Sequence, residues 1–162
     1  MAVSRPPRLG CGGFFFAEGQ RGDADMLAWE QGYKIGQWEM DAEHLILFSL
    51  LNQLDININH DLAGECVHDV LAALDAYIDY HFAHEEALMK AWGYPDLESH
   101  SALHHQFMAE IGRLRQSVKE GDEVRGALKV RGFVLDWLLN HIMETDVDYA
   151  RFIAEKAKKS SA

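Results

Sequence analysis

Apolar residues return at helical intervals in four long stretches of the chain. In the first, Met40, Leu47, Phe48 and Leu51 share a face with His44, which predicts a helix over 38–56. In the second, Val67, Val70, Leu74, Tyr77, Ile78 and Leu88 share a face with His81 and Glu85, predicting a helix over 62–91 with Asp61 as its cap. Gly93 and Pro95 end it, the glycine as the stop and the proline as the residue that cannot continue. The third, 97–119, begins behind Asp96 and aligns His100, Leu103, His104, Phe107, Ile111, Leu114 and Val118. Gly121 closes it and Asp122 caps the fourth, 123–157, whose face carries Val130, Phe133, Val134, Trp137, Leu138 and His141. No strand pattern and no internal repeat competes. The reading is all-α: an up-down-up-down antiparallel four-helix bundle, with short connections.

Residues 26–158 therefore form the bundle domain, preceded by an extension over 1–25 and followed by a tail over 159–162. The extension is rich in Gly, Pro and Arg and has no sustained period, so it reads as flexible. Met26 is a candidate natural start. Between the extension and the first helix, Trp29 and Tyr33 lie in a stretch too irregular for a helix. It reads as an N-terminal arm packed across the outside of the bundle.

Composition narrows the function classes. A chain of 162 residues with 48% hydrophobic content can bury one real core. A net charge of −11 argues against a nucleic-acid groove, which needs clustered Lys and Arg. No apolar run approaches the roughly 20 residues of a membrane span. Two cysteines, Cys11 and Cys66, suggest no disulfide framework and suit a reducing cytoplasm. The acidic surface favours a soluble monomer, although a helical bundle can self-associate through one face.

The chemistry lies in polar residues that share the apolar faces. His81 and Glu85 are four apart, as are His100 and His104, so each pair projects from one side of its helix. With His44 ahead of them and His141 and Asp146 in the string HIMETD behind, every helix contributes. Buried without a partner, each polar group would cost roughly 1–3 kcal/mol, and a bundle core has few backbone groups to spare. A shared transition metal satisfies them together. The alternative, surface residues or a hydrogen-bonded core network, must explain why each set is in phase with its own stripe. His60, His68, His84 and His105 are out of phase or in a loop and read as ordinary surface residues. His141 and Asp146 are five apart, about 140° on a regular helix. Either the carboxylate reaches over from the edge of the stripe, or the helix is locally unwound as in a π-bulge.

In IGQWEMDAEH, YHFAHEE, GYPDLESHSALHHQF and WLLNHIMETD, the chain resembles the hemerythrin family, in its bacterial single-domain branch. The resemblance runs from about Trp29 to Tyr149. It departs at the leader and at Gln37-Trp38, where relatives more often carry an aliphatic and then a polar residue. It implies a non-haem centre of two iron ions with an oxo or hydroxo bridge. His100, His104 and His141 would hold one iron and His44 and His81 the other, with Glu85 and Asp146 bridging. The second iron would keep an open position for dioxygen, which implies reversible oxygen binding for storage, delivery or sensing rather than enzymatic turnover. The alternatives are a di-iron enzyme or scavenger acting on nitric oxide or peroxide, an iron-handling protein, or a regulatory module. Leu47, Phe48, Tyr77, Leu103 and Trp137 are expected to wall the centre off from water, with Trp137 the direct shield. Asp41, Glu43, Gln106, Glu110 and Tyr149 are candidates to hold the free imidazole N–H groups.

Overall fold

A computed structural model describes residues 27–59, 63–117 and 123–160. Its elements are α1 (Trp38–Asn59), α2 (Ala63–Trp92), α3 (Leu97–Ser117), α4 (Glu123–Asn140), a π-helical segment (His141–Asp146) and α5 (Val147–Ser160). The last three run on without a break, so the chain builds four rods. The extension over 1–25, Met26, and the expected caps and stop at Asp61, Gly121 and Asp122 lie outside the described residues, as does Cys11.

Side-chain pairs fix the directions of the rods. Glu86 meets His104 while Phe82 meets Phe107, so α2 and α3 are antiparallel. His104 meets His141 while Phe107 meets Phe133, and α3 and α4 are antiparallel. Asp55 pairs with Arg131 and His44 with Asp146, so the last rod runs against α1. The bundle read from the periodicity is the bundle found.

The turn after α2 shows why Gly93 stops the helix. Its φ is 67°, a left-handed conformation that costs other residues energy. Tyr94 N–H donates to the Met89 carbonyl and Gly93 N–H to the Lys90 carbonyl, a Schellman closure that satisfies two orphan carbonyls. Tyr94 then packs in the same apolar cluster as Met89. The Asp96 carbonyl accepts the His100 N–H, the first bond of α3.

The arm keeps its irregular form, with a single 3-10 turn at Gln31–Tyr33. Asn52 of α1 binds both the N–H and the carbonyl of Leu27. Trp29 and Tyr33 pack on Phe48, with ring centroids 5.2 and 5.4 Å away. Asp41 accepts from the N–H groups of Ile35 and Gly36, tying the end of the arm to the start of α1.

The core has two apolar parts. The larger includes Leu47, Leu51, Leu74, Ile78, Phe107, Val134, Leu138 and Ile142. The smaller is Met40, Met89, Tyr149 and Ile153. On α1, α2 and the last rod, His44, His81, Glu85, His141 and Asp146 fall between a member of one part and a member of the other. The polar groups therefore form a layer between two greasy ones.

Candidate metal centre

All seven inward polar side chains are buried: His44, His81, Glu85, His100, His104, His141 and Asp146. Glu85, His100, His104 and His141 each offer a ligand atom within 4.8 Å of the others, and so do His44, His81 and Glu85. Glu85 belongs to both groups. Its Oε2 lies 3.1 Å from His100 Nε2 and 3.2 Å from His104 Nε2. Asp146 also spans them, with Oδ2 3.3 Å from His44 Nε2 and Oδ1 3.1 Å from His141 Nε2.

Asp146 can do this because the rod changes pitch. Over His141–Asp146 the backbone is π-helical, with i to i+5 bonding that brings residues five apart onto one side. Of the two geometries open to HIMETD, the structure takes the unwound one, and Asp146 is 0% exposed.

The donor chemistry fits a metal better than a hydrogen-bonded network. Glu85 Oε1 is buried without a hydrogen-bond partner, and the close contacts of both Asp146 oxygens with His44 Nε2 and His141 Nε2 are not directed as hydrogen bonds. His104 Nε2 and His141 Nε2 point at each other across 3.0 Å. Such crowding of lone pairs is costly in a core unless cations or protons fill it. Burial alone would push the Glu85 carboxyl up, but hydrogen bonds from His100 and His104 and the charge of His81 outweigh it and hold the group well below the usual range. Burial pushes His141 down, against the pull of Asp146. An ionised carboxylate among imidazoles is the form in which this set would bind a cation.

Aromatic rings enclose the imidazoles. Phe82 stacks on His104 at 3.7 Å, Trp137 stacks on His141 at 4.1 Å, and Tyr149 stands edge-on to His100 at 5.8 Å. Trp29 of the arm lies 6.4 Å from His44. Leu47 and Phe48 are buried core, and Tyr77 is half-buried. Leu103 is a correction: it is exposed, because one step before His104 it sits about 100° round the helix.

The outer partners are partly those anticipated. Glu43 accepts from His81 Nδ1 at 2.8 Å. His104 Nδ1 is held by Glu86 at 2.9 Å, a residue the sequence reading passed over. His84, read as an ordinary surface residue, also binds Glu43, at 2.6 Å. Asp41 serves the arm instead, Glu110 pairs with Arg113, and Gln106 is exposed. The Tyr149 hydroxyl is buried without a hydrogen-bond partner. Burial first, then the charges of Glu85 and Asp146, raise its pKa and keep it protonated. A surface groove of about 470 Å³ between α2 and α3 contains none of the seven; of their partners only Glu86 lines it.

Residues 36–153 match the family model described as the hemerythrin HHE cation binding domain. The chain belongs to the hemerythrin family. It is 30% identical over 128 residues to a bacteriohemerythrin of Stenotrophomonas maltophilia, covering 77% of this chain and 80% of that one. It is 34% identical over 113 residues to a bacteriohemerythrin of Methylococcus capsulatus, covering 67% and 82%. A myohemerythrin of Theromyzon tessulatum is 28% identical over 121 residues, covering 75% and 88%. Membership brings the family's cation-binding domain, which here is the four-rod bundle. No described helix is long and apolar enough to cross a membrane.

Proposed function

We propose that this hemerythrin binds two iron ions through its seven buried side chains and that the loaded centre binds dioxygen reversibly. His100, His104 and His141 hold one iron, His44 and His81 the other, and Glu85 and Asp146 lie between. The observation that carries this is the division of the cluster into two ligand groups sharing Glu85, with the Asp146 oxygens turned toward opposite groups. Held there in the ferrous state, the pair would supply the reversible electron chemistry that dioxygen binding needs.

The chain's own part is to keep that exchange reversible. Carboxylate-rich di-iron sites of other bundles use fewer histidines and favour oxidation. Five neutral imidazoles and two carboxylates make a less electron-rich centre. Phe82, Trp137 and Tyr149 exclude water from the ligand faces they cover, which suppresses loss of bound oxygen in an oxidised form. The protonated Tyr149 hydroxyl lies within the field of both carboxylates and keeps a neutral face on the site. The functional unit is residues 26–158, acting in the cytoplasm as a binding protein rather than an enzyme.

The test is anaerobic loading with ferrous iron followed by exposure to oxygen. An oxygen-dependent visible band that disappears under vacuum and returns with oxygen is the expected result. Direct, irreversible passage to the oxidised centre overturns the oxygen-binding reading in favour of turnover or iron handling.

A further inference from the structure

We propose that His84 is a positioning residue for the metal ligand His81, acting through the buried carboxylate of Glu43. This rests on the di-iron reading above and adds a residue that the ligand set does not contain.

Glu43 sits beside His44 on α1 and is only 7% exposed. Its oxygens are divided between two histidines of α2. Oε2 takes His81 Nδ1 at 2.8 Å, and Oε1 takes His84 Nδ1 at 2.6 Å. His81 and His84 are three residues apart, so they lie on neighbouring parts of one helix surface and straddle the carboxylate. An ionised carboxylate only accepts, so both Nδ1 atoms must carry the proton. For His81 this leaves the Nε2 lone pair free to bind a metal, the tautomer a ligand requires.

His84 fixes the other half of the carboxylate. Without it, Oε1 loses the 2.6 Å contact that holds it, and the carboxylate gains by turning outward, toward water and toward Tyr80, which also hydrogen-bonds Glu43. Turning carries Oε2 away from His81. The His84 side chain is 36% exposed and packs 5.9 Å from the ring of Tyr80, so it reaches from solvent to Glu43. The hydrogen-bonded chain is His84, Glu43, His81, and then the metal position.

The other ligand group is held differently. Glu86 binds His104 Nδ1, and its side chain is 31% exposed. The two outer carboxylates thus serve different irons, and each is a control for the other.

The experiment measures iron release to a ferrous chelator, without air, from protein loaded to saturation. His84→Phe keeps a ring beside Tyr80 and removes the donor. Outer partners of metal ligands are typically worth about 10–100-fold in affinity, and His84 acts one bond further out, so about 3–10-fold faster release is expected. It should appear in half of the iron only. His84→Gln, whose amide can donate to Glu43, should restore slow release. Glu86→Gln should accelerate the other half. Equal release from His84→Phe and the natural protein, both carrying two irons, overturns this proposal and leaves the di-iron reading standing. Acceleration of both halves alike also overturns it, since general loosening has that signature. Fewer than two irons in the natural protein overturns the di-iron reading and this proposal with it.

Discussion

Replacing Glu85 with Gln separates the two things that carboxylate does. In the natural protein it is fully buried, with one oxygen against His100 and His104 and the other without a partner. The amide keeps the shape and removes the charge. Without metal, two opposed effects follow. Two charge-assisted contacts are weakened, at about 1.5–3 kcal/mol each. The cost of burying an ionised carboxylate, several kcal/mol, also disappears. The remainder is about 1 kcal/mol of either sign, or about 2–4 °C in Tm for a chain of this size. With metal the effects no longer offset. A ligand that binds only the folded state at 1,000 times its Kd stabilises it by about 4 kcal/mol. For the natural protein that is a rise of about 8–16 °C with ferrous iron. An amide has one oxygen and cannot serve both ligand groups, so Glu85→Gln should lose at least half of that rise. Thermal melts with and without ferrous iron, under nitrogen, decide it. A variant that keeps the full rise refutes the bridging role. A metal-free variant destabilised by more than about 4 kcal/mol refutes the claim that the carboxylate is costly to bury without its metal.

Trp137→Ala removes the ring stacked on His141; autoxidation of the oxygen-loaded protein should quicken, and an unchanged decay of the visible band would count against a shielding role. Truncation of this half-buried ring should also cost about 2–4 kcal/mol in denaturant melts. Gly93→Ala places a side chain at φ 67°, where the added carbon meets only Lys156 Nζ at 3.4 Å. The cost is therefore conformational, about 1–2 kcal/mol, and should leave the iron content unchanged. Asp41→Ala frees two backbone N–H groups of the arm. A stability loss of about 1 kcal/mol is expected, together with faster amide exchange at Ile35 and Gly36.

The four rods were legible because their apolar stripes are long and their breaks carry Gly, Pro or Asp. Boundaries moved little: α1 runs to Asn59 rather than 56, since Asn57 is still buried against the bundle. The last rod was expected as one helix and is interrupted by the π segment. The five-residue spacing of His141 and Asp146 had required either that or a reach from the edge of the stripe. The outer partners were less visible. Periodicity marks the centre of a buried face, whereas Glu86 and His84 occupy its flanks, where one helix meets the next and polar residues look like surface. Only the position of α1 beside α2 shows that His84 has a carboxylate within reach. Leu103 failed in the opposite sense, since an apolar residue on the flank of a stripe was assigned to its centre.

The central claim is that the seven side chains surround a pair of irons inside the bundle. Anomalous diffraction at the iron edge, on crystals of the iron-loaded protein, tests it most directly. The account predicts two peaks in the polar layer, one beside His100, His104 and His141 and one beside His44 and His81, with Glu85 and Asp146 between them. A single peak, or iron only at the surface, would contradict it.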